Sequence, residues 1–107
     1  MVLPPRHVYS AIVKNTTSNV MKVKATYGMP NNAADEEVEL SIQPAATVNL
    51  EQKVVQVEQM TLTGYIRRIA VEGAALEAPF SGVTSPVKDY RVEIYAEDGV
   101  PQLRGQP

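Results

Sequence analysis

Met21-Lys22-Val23-Lys24-Ala25-Thr26-Tyr27 alternates apolar and polar residues one by one, and Val38-Glu39-Leu40-Ser41-Ile42 repeats the pattern with a glutamate and a serine where the first has lysines. In an extended chain successive side chains leave opposite faces, so each stretch reads as a strand with one oily and one wet side. Slipping the first stretch by one residue would drive Lys22 and Lys24 into the interior, so its register is well specified. Between the two lies Gly28-Met29-Pro30-Asn31-Asn32, which is turn chemistry. An antiparallel hairpin is expected, with the lysines opposite or diagonal to Glu37 and Glu39. Each such cross-strand pair contributes about 0.2–1 kcal/mol.

Upstream, Val8 to Lys14 is rich in β-branched and aromatic residues but alternates imperfectly, which predicts an edge or first strand. Asn15-Thr16-Thr17-Ser18-Asn19 gathers side chains that bond their own backbone, so the chain is expected to reverse there. Downstream, Pro44 interrupts the ladder, and Ala46, Val48 and Leu50 then alternate as a fourth strand. Gln52 to Gln59 fits a strand better than a helical turn because three of its residues are valines. Met60 to Thr63 and Tyr65 to Val71 read as one strand broken or bent at Gly64. Residues 73–86 read as the longest irregular segment. Tyr90, Val92, Ile94 and Ala96 then define the last strand, with Arg91, Glu93 and Tyr95 on its other side, and Asp98-Gly99-Val100-Pro101 is expected to open a flexible tail.

About seven short strands in one chain of 107 residues match the size of an immunoglobulin-like, antiparallel β-sandwich. The whole chain, 1–107, is read as a single all-β domain with a short flexible N-terminal lead-in. A small closed β-barrel is the alternative, since a barrel uses the same alternation. The resemblance is to the general sandwich architecture; the Cys…Trp…Cys core of antibody domains is missing, because the chain has neither residue type.

The bulk composition narrows the partners. Ten Lys and Arg stand against twelve Asp and Glu, interspersed along the chain, which gives no broad basic field and argues against nucleic acid. Apolar runs are far shorter than the roughly 20 residues of a transmembrane helix. The absence of cysteine, with no basic-then-apolar leader at the start, points to the cytoplasm. Asn15-Thr16-Thr17 matches an N-glycosylation acceptor, a triplet that matters only in a secreted protein.

No spacing assembles a reactive site. His7 is the sole imidazole and is expected to be exposed on a mobile terminus. Ser10, Ser41, Ser81 and Ser85 have no base placed near them by sequence. Asn31 to Glu37 offers oxygens without the order of a calcium loop, and the six glycines form no phosphate cradle, so no cofactor or metal is expected. Enzymatic activity would need carboxylates such as Asp35, Glu58 or Asp89 to converge in space.

Four residues are candidate partner contacts. Arg67 and Arg68 are adjacent, so in a strand one of them must point inward, sit at an edge, or accompany a bulge. Phe80 either caps the core or anchors a contact from its loop, and Tyr95 lies outward on the last strand. The expected function is a non-catalytic protein-interaction or structural module acting through loops 28–36 and 73–86 or through a sheet edge, including pairing with a second copy. The alternative is a ligand carrier whose barrel interior is lined by Met21, Val23, Leu40, Ile42 and Val92.

Overall fold

The computed structural model describes residues 7–29, 34–78, 80, 82–83 and 86–107. These residues form ten strands and no helix: β1 (Ala11–Asn15), β2 (Met21–Gly28), β3 (Glu36–Ile42), β4 (Thr47–Leu50), β5 (Val54–Val57), β6 (Met60–Thr63), β7 (Tyr65–Val71), β8 (Ala74–Glu77), β9 (Tyr90–Glu97) and β10 (Val100–Gln106). They assemble into a four-stranded first sheet ordered β10-β9-β1-β4, a four-stranded second sheet ordered β3-β2-β7-β8, and a two-stranded ribbon of β5 and β6. Every pairing is antiparallel except that of β1 with β9. No helix among the described residues is long and apolar enough to cross a membrane. The closed barrel is not seen, because each four-stranded sheet ends in two unjoined strands.

Alternation places the core. Val23, Ala25, Tyr27 and Ile69 of the second sheet and Val13, Val92 and Ile94 of the first are buried in one apolar cluster. Each valine or isoleucine among these contributes roughly 1.5–3 kcal/mol when taken fully out of water. Met21, Val23, Ile42 and Val92, the residues proposed to line a carrier's interior, are members of this core, and Leu40 packs against it. The lysines of β2 are exposed as expected: Lys24 lies opposite Glu39 and pairs with Glu37 at 3.1 Å.

Four expectations are corrected. The run from Val8 to Lys14 supplies the first strand, as expected, but not an edge: β1 lies inside the first sheet between β9 and β4. The stretch breaks at Gly64, one of the two outcomes expected there, but its halves are separate strands, for β6 pairs with β5 while β7 joins β2 and β8. The irregular segment contains β8, which folds back on β7 through Glu72-Gly73. The expected tail is β10, paired with β9 from Val100 to Gln106. Its hairpin turn is Asp98-Gly99 with φ of 52° and 78°, the left-handed pair of a two-residue turn whose twist matches the flanking strands.

Asn15, at the end of β1, ties the crossover between sheets together. It is fully buried, and its Nδ2 donates to the carbonyls of Asn19 at 2.8 Å and Ile42 at 2.9 Å. Its Oδ1 accepts from the Thr17 amide at 2.9 Å and the Thr17 hydroxyl at 2.6 Å. Its own amide donates to the Ala46 carbonyl, and its carbonyl accepts from the Ala45 amide. A buried amide satisfied this completely fixes local geometry, because any lost partner leaves a desolvated polar group. The acceptor nitrogen of the glycosylation triplet is thus a structural donor inside the fold.

Candidate functional site

The outer face of the first sheet follows directly from strand register. Arg104, Glu93, Lys14 and Thr47 form one row across β10, β9, β1 and β4. Gln106, Arg91, Ile12 and Asn49 form the next. Same-face residues on a strand are about 6.6 Å apart and neighbouring strands about 4.8 Å, so the two rows make a compact patch. A groove of about 560 Å³ runs over it, with Ile12 contributing apolar floor and Lys14, Arg91 and Arg104 contributing cations.

Glu93 is the groove's one acidic residue, and it is already engaged. Arg104 Nε donates to its Oε1 at 2.8 Å, and Thr16 Oγ1 lies 3.1 Å from its Oε2. The hydrogen bond from Arg104 holds the Glu93 carboxyl below its usual range, with further help from Thr16 and from the charges of Arg104 and Lys14. The same bond raises the Arg104 guanidinium above its own usual value. Arg104 also lies over the Tyr95 ring, 4.4 Å from its centroid, a cation–π contact that orients the guanidinium. Among the described residues neither Lys14 nor Arg91 forms an ion pair.

The four sequence candidates do not come together. Arg67 is the extra residue of a bulge: Tyr27 lies opposite Ile66 and Thr26 opposite Arg68, which leaves Arg67 between them. Both arginines therefore reach the surface, Arg67 pairing with Asp35 at 2.7 Å and Arg68 with Glu77 at 3.2 Å. Phe80 is only 4% exposed and packs at 5.5 Å against Tyr90, the capping arrangement. Tyr95 does not line the groove but touches one of its residues, Arg104, through its ring. Pro79 and Ser81 beside Phe80, Ser85, and Asn31 to Ala33 of the acidic turn lie outside the described residues.

His7 is not a loose terminal residue. Its ring stacks on Tyr65 at 4.1 Å and 4°, with Tyr9 edge-on at 5.9 Å, and its carbonyl accepts from the Val87 amide. Ser10 Oγ accepts from the Asp89 amide at 2.8 Å and reaches Asp89 Oδ1 at 3.3 Å, a local loop clasp. Asp35 is held by Arg67, Asp89 by Ser10, and Glu58 occupies the β5–β6 turn. No group of three or more His, Asp or Glu side chains among the described residues is arranged to hold a metal.

Sequence reasoning missed Lys14, Arg91 and Arg104 because they come from three strands and share no linear spacing. One signal was present: the imperfect alternation of β1 is Ile12, an apolar side chain on the wet face. No protein-family model, curated protein or solved structure matches this chain.

Proposed function

We propose that the chain is a non-catalytic interaction module of the immunoglobulin-like sandwich type, which binds another protein through the outer face of the β10-β9-β1-β4 sheet. The observation that supports this reading is the groove itself: a concave patch with an apolar floor, rimmed by three cations against one carboxylate, Glu93, which pairs with Arg104 and leaves Lys14 and Arg91 without an ion pair among the described residues. Apolar floor with oriented polar groups at the margin is the composition of contact surfaces, in which the floor supplies desolvation and the charges supply register. A rigid sheet beneath it holds the side chains in place, so little ordering entropy is lost on binding.

The test is capture from native lysate on immobilised protein, comparing Arg91→Glu in the groove with Lys22→Glu on the opposite sheet. Partner capture lost with the first variant and kept with the second supports the contact face. Equal capture by both moves the contact elsewhere.

A further inference from the structure

The partner's chemistry can be read from the groove. On a chain whose net charge is −2, the groove's own side chains carry three cations and one carboxylate, so positive charge is concentrated where the rest of the surface is acidic. Arg104 and Lys14 share one row of the sheet, and Arg91 stands in the next row, one two-residue step along β9 from Glu93. An extended peptide presents every second side chain to the same side with that same spacing of about 6.6 Å. We propose, building on the contact face above, that the groove accepts an extended acidic segment of a partner protein with carboxylates on alternate residues.

In this arrangement one carboxylate meets Arg91 and the next meets Lys14 and Arg104, while the methylenes of the two glutamate-like side chains lie over Ile12 and the intervening residue points away. Arginine suits this role because its planar donors match a carboxylate bidentately. Glu93 acts as an internal competitor. It occupies Arg104 in the free protein, as the 2.8 Å bond records, and the segment's carboxylate must displace or share it. Phosphate-rich polymers also seek cations, but a groove with an apolar strip and a fixed carboxylate fits them less well than a peptide whose acidic side chains carry methylene stems.

The experiment titrates the full chain against fluorescein-labelled peptides and reads anisotropy at about 0.15 M salt, where charges beyond about 8 Å are screened. The probes are Thr-Glu-Thr-Glu-Thr, its isomer Thr-Glu-Glu-Thr-Thr with the same charge, the lysine analogue of the first, and heparin as a polyanion control. The alternating acidic peptide is expected to bind best. Arg91→Glu weakens it at least about tenfold, and Arg91→Gln weakens it less, as expected where rim charges set affinity. Glu93→Gln tightens binding about two- to threefold by releasing Arg104, an effect that a purely structural Glu93–Arg104 pair would not produce. Circular dichroism melts of the variants establish that they fold. No binding, binding untouched by Arg91→Glu, equal binding of the two isomers, or tighter binding of heparin each overturns the acidic-segment proposal. If lysate capture still depends on Arg91 when the peptides fail, the contact face stands and only this partner chemistry falls.

Discussion

The outer faces of the two sheets are built from the same elements and carry opposite electrostatic bookkeeping. On the second sheet three of the four outward cations on β2 and β7 are paired with an acid, Lys24 with Glu37, Arg67 with Asp35 and Arg68 with Glu77 at 3.2 Å, while Lys22 lies opposite Ser41 and has no ion pair among the described residues. On the first sheet Arg104 and Glu93 pair, and Lys14 and Arg91 are left without an ion pair among the described residues. A face whose cations are mostly paired needs less from its surroundings. An uncompensated one, with an apolar residue in its middle, is where a partner gains most by arriving.

The contrast requires that both faces ride on one rigid body, and the Asn15 joint is where that would fail first. Asn15→Ala removes four side-chain hydrogen bonds and strands buried carbonyls, costing about 3 kcal/mol of stability. Urea unfolding is expected to shift as a single transition, with both sheets lost together. Two separated transitions would show the sheets to be independent.

Gly105 lies on β10, at one end of the first sheet. A methyl group there would meet the Tyr90 ring, which lies across the strand at this point. Gly105→Ala therefore costs about 1–3 kcal/mol through overpacking and, by displacing β10, loosens Arg104. The check is a thermal melt paired with the peptide titration, and both are expected to suffer.

The counterpart in the second sheet is Tyr27, whose hydroxyl donates to the Glu51 carbonyl at 2.8 Å. Tyr27→Phe costs about 1 kcal/mol and leaves groove binding unchanged. Burial, with Glu51 nearby, pushes the Tyr27 hydroxyl up to about 12 from an ordinary 10.0. Between these values the unfolded chain gives up the proton while the folded one keeps it. Stability present below pH 10 is thus lost as pH rises towards about 12. Phenolate absorbance followed with unfolding reads this directly, and Tyr27→Phe removes that part of the dependence. Glu93 works at the other end of the scale: its depressed pKa supplies stability above the ordinary glutamate range that is lost as pH falls through the folded value.

The smallest effect separates the two faces most cleanly. Lys24→Gln breaks a compensated pair and costs about 0.2–1 kcal/mol, whereas Arg91→Gln leaves stability unchanged because no ion pair among the described residues is lost. Chemical denaturation of both variants checks this. Equal losses would mean that Arg91 is structurally engaged and the first face is not free.

Much of the fold was legible because period-two alternation is strict wherever one face is dry and the other wet. β2, β3 and β9 follow that rule, and the β2–β3 register follows from their lysines and glutamates. The bulge at Arg67 was legible too, since two adjacent arginines cannot both leave a regular strand on its wet side. β1 was misplaced because Ile12 faces outward and Asn15 faces inward, the first for the groove floor and the second for the crossover. β10 was missed although Asp98-Gly99 is a strong hairpin signal; its strand contains Pro101 and Gly105, which dilute the pattern. The candidate face was illegible for a different reason. Lys14 joins Arg91 and Arg104 only through the parallel pairing of β1 with β9, a contact between residues almost eighty positions apart that no local spacing encodes, and Arg91 and Arg104 meet through the β9–β10 hairpin, whose second strand reads in sequence as a tail.

The central claim is that an acidic segment settles on the outer face of the first sheet. Titration of isotopically labelled protein with the alternating glutamate peptide, followed residue by residue by amide chemical shifts, tests it most directly. Shifts concentrated at Ile12, Lys14, Arg91, Glu93 and Arg104, with Lys22, Lys24 and Arg68 unmoved, are the predicted result. Shifts centred on Lys22, Lys24 and Arg68, or no saturable shifts at all, would contradict it.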